Sequence, residues 1–228
     1  MDTEGIENTD ELDDVKELTK IEKYYIKVAM NEVLYILNLP SLKNDDPLVD
    51  EALKAANKIL EKIKRHAQPY LQELFEGVVN RVVDNTQGKL HHTRHLISMV
   101  KNMGKLMRFH TNIMVKLICE LLGRYLSFCL ELIEVLYEVF SAPSFNALLN
   151  DILPSLVRHM HFQDGDLSSL LPTFHLLVHI RSKLGEHRKR IIETITCIMT
   201  TDNSNEVIRT FLLFEQYKHY CIFTCHSS

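Results

Sequence analysis

Glycine and proline are scarce in this sequence: its 228 residues include seven glycines and six prolines, while 46% are hydrophobic. A loop-rich β-fold needs many turn residues, so their scarcity favours long helices. Tryptophan is also absent, but this alone excludes no fold class. The length suffices for a sizeable core, in one large domain or in one part of an extended helical array.

Basic residues are missing from the first 14 positions, although these positions hold seven acidic side chains: Asp2, Glu4, Glu7, Asp10, Glu11, Asp13 and Asp14. The rest of the chain contains all 26 basic residues and the remainder of the 30 acidic ones, so it is mildly positive. A segment with such composition stays solvated. We therefore predict an acidic disordered segment over 1–16, a single all-helical domain over 17–220 and a short tail over 221–228.

Long uncharged apolar runs are absent as well. The first 20 residues are acidic and contain no apolar stretch, so no signal peptide is expected. Six charged side chains interrupt the most hydrophobic segment, 112–140, which excludes a membrane-spanning helix of about 20 apolar residues. The five cysteines, an odd number, are expected to be reduced thiols. These features predict a soluble intracellular protein that is neither secreted nor bound to a membrane.

Apolar residues recur every three or four positions, which is the period of an amphipathic helix. The first such helix is predicted over 19–39, and a second begins at Pro47. A third begins at Pro69, whose missing N–H costs little in the first turn of a helix. A fourth is expected over 89–110, with Gly104 as a weak point.

The segment 112–140 carries one narrow polar stripe, so a helix there would be enclosed by neighbours on several sides. It is either one long helix or two helices that meet near Gly123. Three or four shorter helices follow. Four prolines precede a hydroxyl residue and then an apolar one, a pattern that suits the entrance of a helix. These are Pro40, Pro143, Pro154 and Pro172.

About eight helices joined by short connections, with no strand pattern, predict an all-α fold. The arrangement that we favour is a row of stacked antiparallel helical hairpins, as in the α-solenoids built from HEAT or armadillo repeats. The alternative is a compact helical bundle, which the length of the segment 112–140 favours.

Histidines occur at metal-ligand spacing in two places. His91, His92 and His95 form H-H-x-x-H, and His175 with His179 forms a second pair four residues apart. On a helix, that spacing places two imidazoles on one face. No glutamate occupies the second position of an HExxH motif, and the sequence reveals no third ligand. We therefore predict exposed or core-edge histidines, with no metal and no cofactor.

The motifs of common catalytic sites are also absent. There is no G-x-S-x-G, Walker loop or G-x-G-x-x-G, so acyl transfer and phosphate binding lack their usual residues. Cys221, Cys225 and His226 lie close in sequence, but structural zinc sites use four ligands. We expect a non-catalytic protein whose remaining cysteines are buried and unreactive, namely Cys119, Cys129 and Cys197.

Five basic residues fall within ten positions: Arg181, Lys183, Arg188, Lys189 and Arg190. Such a basic segment is a candidate binding patch for phosphate, nucleic acid or an acidic peptide. The alternative is structural, because cations are also favoured at the C-terminal end of a helix and at the solvated start of the next one.

The stretch "QPYLQELFEGVV" resembles the start of a helix in one HEAT repeat of Pds5-type cohesin regulators. The matching positions are Pro69, Tyr70, Leu71, Leu74, Phe75, Val78 and Val79. The preceding helix is similar in placement, and the resemblance covers residues 50–100. It implies an α-solenoid in the nucleus that binds a cohesin subunit or a cohesin-release partner. Because the chain is shorter than such regulators, it also implies a fragment, an isoform or a divergent relative.

Two functions follow from these features. The first is a non-catalytic helical-repeat scaffold that binds another protein. The resemblance implies that this scaffold is a cohesin-associated regulator of sister-chromatid cohesion, located in the nucleus or, alternatively, in the cytoplasm. The second is a nucleic-acid-binding helical module that uses the basic segment 181–190. An enzyme built on the histidine pairs is a third and weaker hypothesis.

Overall fold

The computed structural model describes residues 17–84, 89–161 and 167–193. The predicted acidic segment 1–16 and the tail 221–228, with its cysteines and histidine, lie outside the described residues, as does Cys197. The chain divides into two compact units, Met1–Met103 and Gly104–Ser228, and each is described by itself below. The prediction of one domain over 17–220 stays a prediction.

Among the described residues of the first unit there are four α-helices, with one 3-10 turn at Lys64–Ala67. The helices are α1 (Lys20–Leu37), α2 (Pro47–Ile63), α3 (Gln68–Val82) and α4 (Thr93–Met103). Helix α1 packs against α2 and α3, and α4 packs against the same two helices. Phe75, Leu53, Leu60 and Met99 are fully buried in this unit.

The starts of these helices follow from local sequence. Thr19 caps α1 by accepting a hydrogen bond from the Glu22 N–H at 3.2 Å, and the Glu22 carboxylate accepts from the Thr19 N–H at 2.8 Å. Asp46 caps α2, which begins at a proline. Pro69 is the second residue of α3, as predicted. A 3-10 turn alone separates α2 from α3, so the apolar spacing runs through the boundary almost unbroken.

A short antiparallel pair of strands, β1 (Val83–Asp84) and β2 (Lys89–Leu90), follows α3. We did not predict it, because a pairing two residues long leaves no periodic signal in a sequence. The predicted helix 89–110 is wrong at both ends, at the first because residues 89 and 90 form β2. Its helical part, α4, ends at Met103, and Gly104 follows with a φ of 50°, a left-handed conformation that ends a helix.

The second unit begins with a 3-10 segment, Gly104–His110. Four α-helices follow: α5 (Thr111–Leu121), α6 (Leu126–Val139), α7 (Ala142–His161) and α8 (Leu167–His179). A 3-10 turn at Ile180–Lys183 comes next, and residues 187–193 are helical. Helix α5 packs against α6 and α7, while α8 packs against α6. Phe145, Phe174 and Met114 are fully buried here.

The segment 112–140 is two helices, which confirms the break near Gly123. Helix α5 ends at Leu121 and α6 begins at Leu126. Helix α6 is buried around much of its circumference, as expected from its narrow polar stripe. Its buried residues are Phe128, Cys129, Leu130, Leu132, Ile133, Val135 and Leu136.

The proline pattern marks a helix entrance only at Pro143, the second residue of α7. Pro40 lies in the connection between α1 and α2, while Pro154 and Pro172 lie inside α7 and α8. For these three the prediction is wrong. Both interior prolines are exposed.

The described residues are predominantly helical, which confirms the all-α class. Among them, no helix has both the length and the hydropathy required to cross a bilayer.

Candidate functional site

Helix α1 has two apolar faces. One is buried, with Met30, Val33, Leu34 and Leu37 each at most 6% exposed. At about 100° per residue, a second apolar set projects from the opposite side of the helix. Its members are between 42% and 69% exposed: Ile21, Tyr24, Tyr25, Val28 and Tyr35. We call these five residues the exposed face of α1.

Three of its five members are tyrosines. Tyr24 and Tyr25 meet edge to face, with ring centroids 5.7 Å apart. A tyrosine has an apolar ring and a polar tip, so it tolerates water yet contributes strongly when a partner buries it. The sequence pattern grouped Ile21, Tyr24, Tyr25 and Val28 with Val33, Leu34 and Leu37 as the apolar positions of one amphipathic helix. That grouping is wrong, because the first four are exposed and the last three are buried.

A groove of about 570 Å³ lies between the first half of α1 and the start of α3. Apolar groups of Ile26, Pro69 and Tyr70 line it, together with the basic side chains of Lys23 and Lys27. Arg65, His66, Leu18 and Gln68 complete its lining. The groove therefore combines apolar walls with positive charge. Pro69 and Tyr70 in this lining are also the first two matching positions of the stretch that resembles a HEAT-repeat helix.

The basic residues of the segment 181–190 have different environments where the structure describes their side chains. The Lys183 Nζ donates hydrogen bonds to the carbonyls of Tyr137 at 2.5 Å and Phe140 at 2.7 Å, and it lies 4.4 Å from the centre of the Tyr137 ring. These carbonyls are at the C-terminal end of α6, where the last turn lacks amide partners. Lys183 thus caps the C-terminal end of a helix, which is the structural alternative to a binding role. The helix that it caps is α6, whereas Lys183 itself follows α8 in the chain.

The other basic residues differ in exposure. The Lys189 side chain is 88% exposed and lies 3.9 Å from the Glu193 carboxylate. Arg190 is exposed, and Arg188 is half-buried. Arg181 lies in the 3-10 turn, but its side chain is outside the described part of the chain. A binding role for these residues stays a prediction.

The H-H-x-x-H motif straddles the start of α4. His92 lies just before the helix with a φ of 56°, in the left-handed region, and His95 lies in its first turn. Asp50, on α2, is the third member of this cluster. The Asp50 Oδ1 is 2.8 Å from the His95 Nε2 and 3.8 Å from the His92 Nδ1. One ligand atom from each residue lies within 4.8 Å of the others.

Each residue of this Asp50–His92–His95 cluster has a second polar contact that fixes its orientation. The Asp50 Oδ2 accepts from the Lys54 Nζ at 2.7 Å. The His92 Nε2 is 2.5 Å from the Asn44 carbonyl, and the His95 Nδ1 is 3.4 Å from the Asn57 side-chain amide. Hydrogen bonds from Lys54 and then His95 lower the pKa of Asp50 to about 2, while burial lowers the pKa of His92. The cluster thus favours an ionised carboxylate beside a neutral imidazole.

Sequence reasoning missed Asp50 because it lies on another helix, more than 40 positions before His92. An acidic residue inside the first turn of a helix is usually explained by the helix dipole, so it carries no metal signal of its own. Only the packing of α2 against α4 brings Asp50 to the histidines.

The second histidine pair lies on α8 and has a different environment. The His179 Nε2 is 3.6 Å from a Glu134 carboxylate oxygen, and both side chains are about half exposed. His175, His179, Glu131 and Glu134 line a wide groove of about 550 Å³. Among the described residues, this pair joins no group of three converging metal ligands.

Of the two cysteines that the structure describes, Cys129 supports the expectation of a buried, unreactive thiol, whereas Cys119 is not fully buried. Cys129 is buried in α6, where burial and the nearby Cys119 raise the pKa of its thiol to about 12. A thiol with so high a pKa forms little thiolate, which is the nucleophilic form. Cys119 is half-buried and accepts a hydrogen bond from the Ser155 hydroxyl at 3.4 Å.

No family model, no curated protein and no solved structure matches this chain. The resemblance to Pds5-type regulators over residues 50–100 stays a prediction.

Proposed function

We propose that the chain is a non-catalytic helical scaffold that binds another protein through two surfaces of α1, its exposed face and the groove between α1 and α3. The observation that carries this proposal is the exposed face itself. Its five apolar side chains lie on one side of a single helix, opposite the buried face. Contiguous apolar surface of this kind is typical of interaction sites, and aromatic residues are enriched in them.

The packing order of the helices supports a scaffold of stacked hairpins. In the first unit α1 packs against α3 and α2 against α4, while in the second α5 packs against α7 and α6 against α8. Contacts between helices two apart in the chain are what two rows of an α-solenoid produce. The compact bundle is the alternative arrangement within each unit.

The lining of the groove suggests the chemistry of the partner. Apolar side chains of the partner would pack on Ile26, Pro69 and Tyr70, and acidic ones would face Lys23 and Lys27. We therefore propose an amphipathic, acidic segment of a protein as the ligand. The resemblance over residues 50–100 makes a nuclear cohesin subunit or a cohesin-release factor the first partner to test, in a role in sister-chromatid cohesion.

Crosslinking from the exposed face tests the proposal. A photoreactive residue at position 25 should crosslink to the purified partner, whereas one at Phe109, an exposed aromatic residue of the second unit, should not. The double variant Tyr24→Ser/Tyr35→Ser should leave the far-ultraviolet circular dichroism unchanged. It should weaken binding by about tenfold or more, because interface tyrosines contribute strongly to affinity.

Equal crosslinking from positions 25 and 109, or unchanged affinity of the double variant for every partner bound by the wild-type chain, would refute this surface. Binding to nucleic acid that falls steeply with salt and disappears in Lys189→Glu/Arg190→Glu would instead support the module based on the basic segment.

A further inference from the structure

The Asp50–His92–His95 cluster has an arrangement of lone pairs that a cation would satisfy. Because a carbonyl oxygen only accepts hydrogen bonds, the His92 Nε2 facing Asn44 must carry the proton of a neutral ring. The His92 Nδ1 then presents a lone pair toward the Asp50 Oδ1, which is 3.8 Å away and also an acceptor. We propose that Asp50, His92 and His95 bind one divalent transition-metal ion, with Zn²⁺ the best match.

The outer contacts of His92 and Asp50 are those of metal ligands. A coordinating histidine usually donates its second ring N–H to a carbonyl or carboxylate, as His92 does to Asn44. Lys54 holds the Asp50 Oδ2 and leaves Oδ1 facing the histidines. The Asn57 Nδ2 faces the His95 Nδ1 and also donates to the Leu53 carbonyl at 3.2 Å, so a metal on the His95 Nε2 requires this amide to turn its oxygen toward the ring.

The distances between the ligand atoms fit a small ion after modest side-chain adjustment. Zinc bonds to nitrogen and oxygen are about 2.0–2.2 Å long, which places the ligands of a tetrahedral site roughly 3.3–3.5 Å apart. The separation between Asp50 and His95 is 2.8 Å, and that between Asp50 and His92 is 3.8 Å, so they bracket this value. When a metal binds the His95 Nε2, the ring stays neutral because its proton moves from Nε2 to Nδ1.

The ligand types select the class of metal. Two imidazole nitrogens and one carboxylate suit Zn²⁺ and its first-row neighbours, whereas Ca²⁺ and Mg²⁺ prefer oxygen ligands. Three protein ligands also leave one position of a tetrahedral zinc ion for water.

The backbone at His92 supports the same inference independently. Its φ of 56° is uncommon for a residue other than glycine, although histidine is among the residues that tolerate it. Strained conformations of this kind are concentrated at functional sites. Here the conformation turns the His92 ring toward α2 immediately before α4 begins. A bound ion would therefore link α2 to the start of α4 by direct coordination.

Zinc binding by the full chain, after removal of metal with a chelator, tests this inference. Competition with a chromophoric chelator should show one Zn²⁺ per chain, and excess Mg²⁺ or Ca²⁺ should not compete. Asp50→Asn, His95→Gln and His92→Asn should each weaken binding by about 100-fold or more, because each removes one of three ligands. Asparagine is chosen at position 92 because it tolerates a left-handed φ.

The matched control is His175→Gln/His179→Gln, which removes the other histidine pair and should leave zinc affinity unchanged. Co²⁺ added to the wild-type chain should give the intense visible absorption of a four-coordinate site, a measurement that needs no variant. The proposal is overturned by the absence of stoichiometric binding, by equal affinities of the cluster variants and the wild type, or by loss of binding in the control.

Discussion

Arg81 is a buried cation whose partners are mostly backbone carbonyls. It is 8% exposed and donates hydrogen bonds to the carbonyls of Leu37 at 2.8 Å, Leu39 at 2.7 Å and Leu42 at 2.6 Å. These carbonyls belong to the end of α1 and the connection that follows it. A single side chain from α3 thus donates to carbonyls at and after the end of α1, including that of Leu39, which also accepts from the Leu42 N–H at 3.2 Å.

We expect Arg81→Met to lower the free energy of unfolding by about 3 kcal/mol, because it leaves several buried acceptors without a charged donor. Urea denaturation followed by circular dichroism measures this change. The matched control is Arg94→Met at an exposed position, where the effect should stay within about 0.5 kcal/mol. Equal stability of the two variants would contradict the role given to Arg81.

At the scale of the secondary-structure element, Lys183 caps the C-terminal end of α6. Lys183→Met should lower the free energy of unfolding by about 1–2 kcal/mol, because the carbonyls of Tyr137 and Phe140 lose a charged donor. Lys189→Met removes the same charge from a side chain that is 88% exposed, so its effect should be near zero. Thermal or urea unfolding of both variants distinguishes the capping role from a general effect of positive charge.

The boundaries of the elements were predictable wherever a local signal sets them. Thr19 with Glu22, Asp46 before a proline, and Pro69 in a first turn each fix a helix start through neighbours in sequence. Pro154 and Pro172 misled the prediction because the three-residue pattern around them does not distinguish a helix entrance from a helix interior.

The candidate sites were less predictable, because distant residues create them. The spacing of apolar residues in α1 indicated a helix, but it did not reveal that Tyr24 and Tyr25 lie on the side away from the core. Likewise, the histidine motif gave two ligands of the proposed metal site. The third, Asp50, reaches them only through the packing of α2 against α4.

At the scale of the whole molecule, acid should destabilise the chain. Burial lowers the pKa of His92, His110 and His159 below the ordinary value of 6.5. At a pH below that value the unfolded chain takes up protons that the folded chain resists, so the free energy of unfolding rises with pH. We expect it to fall progressively as the pH drops from about 7.5 to about 5.

Urea midpoints across this pH range, measured with a chelator present, check the expectation. His110→Gln should reduce the slope of stability against pH. The control His179→Gln should not, because the His179 side chain is 52% exposed. Stability that rises on acidification would contradict the burial of these imidazoles in neutral form.

The tyrosines on the exposed face of α1 make the chain its own optical probe. With no tryptophan in the sequence, near-ultraviolet fluorescence comes from eight tyrosines, and three of them project from this one surface. Contact with a ligand there would change their quenching and emission intensity directly. Association could therefore be followed in unlabelled protein, and the amplitude of the signal would diminish as Tyr24, Tyr25 and Tyr35 are replaced in turn.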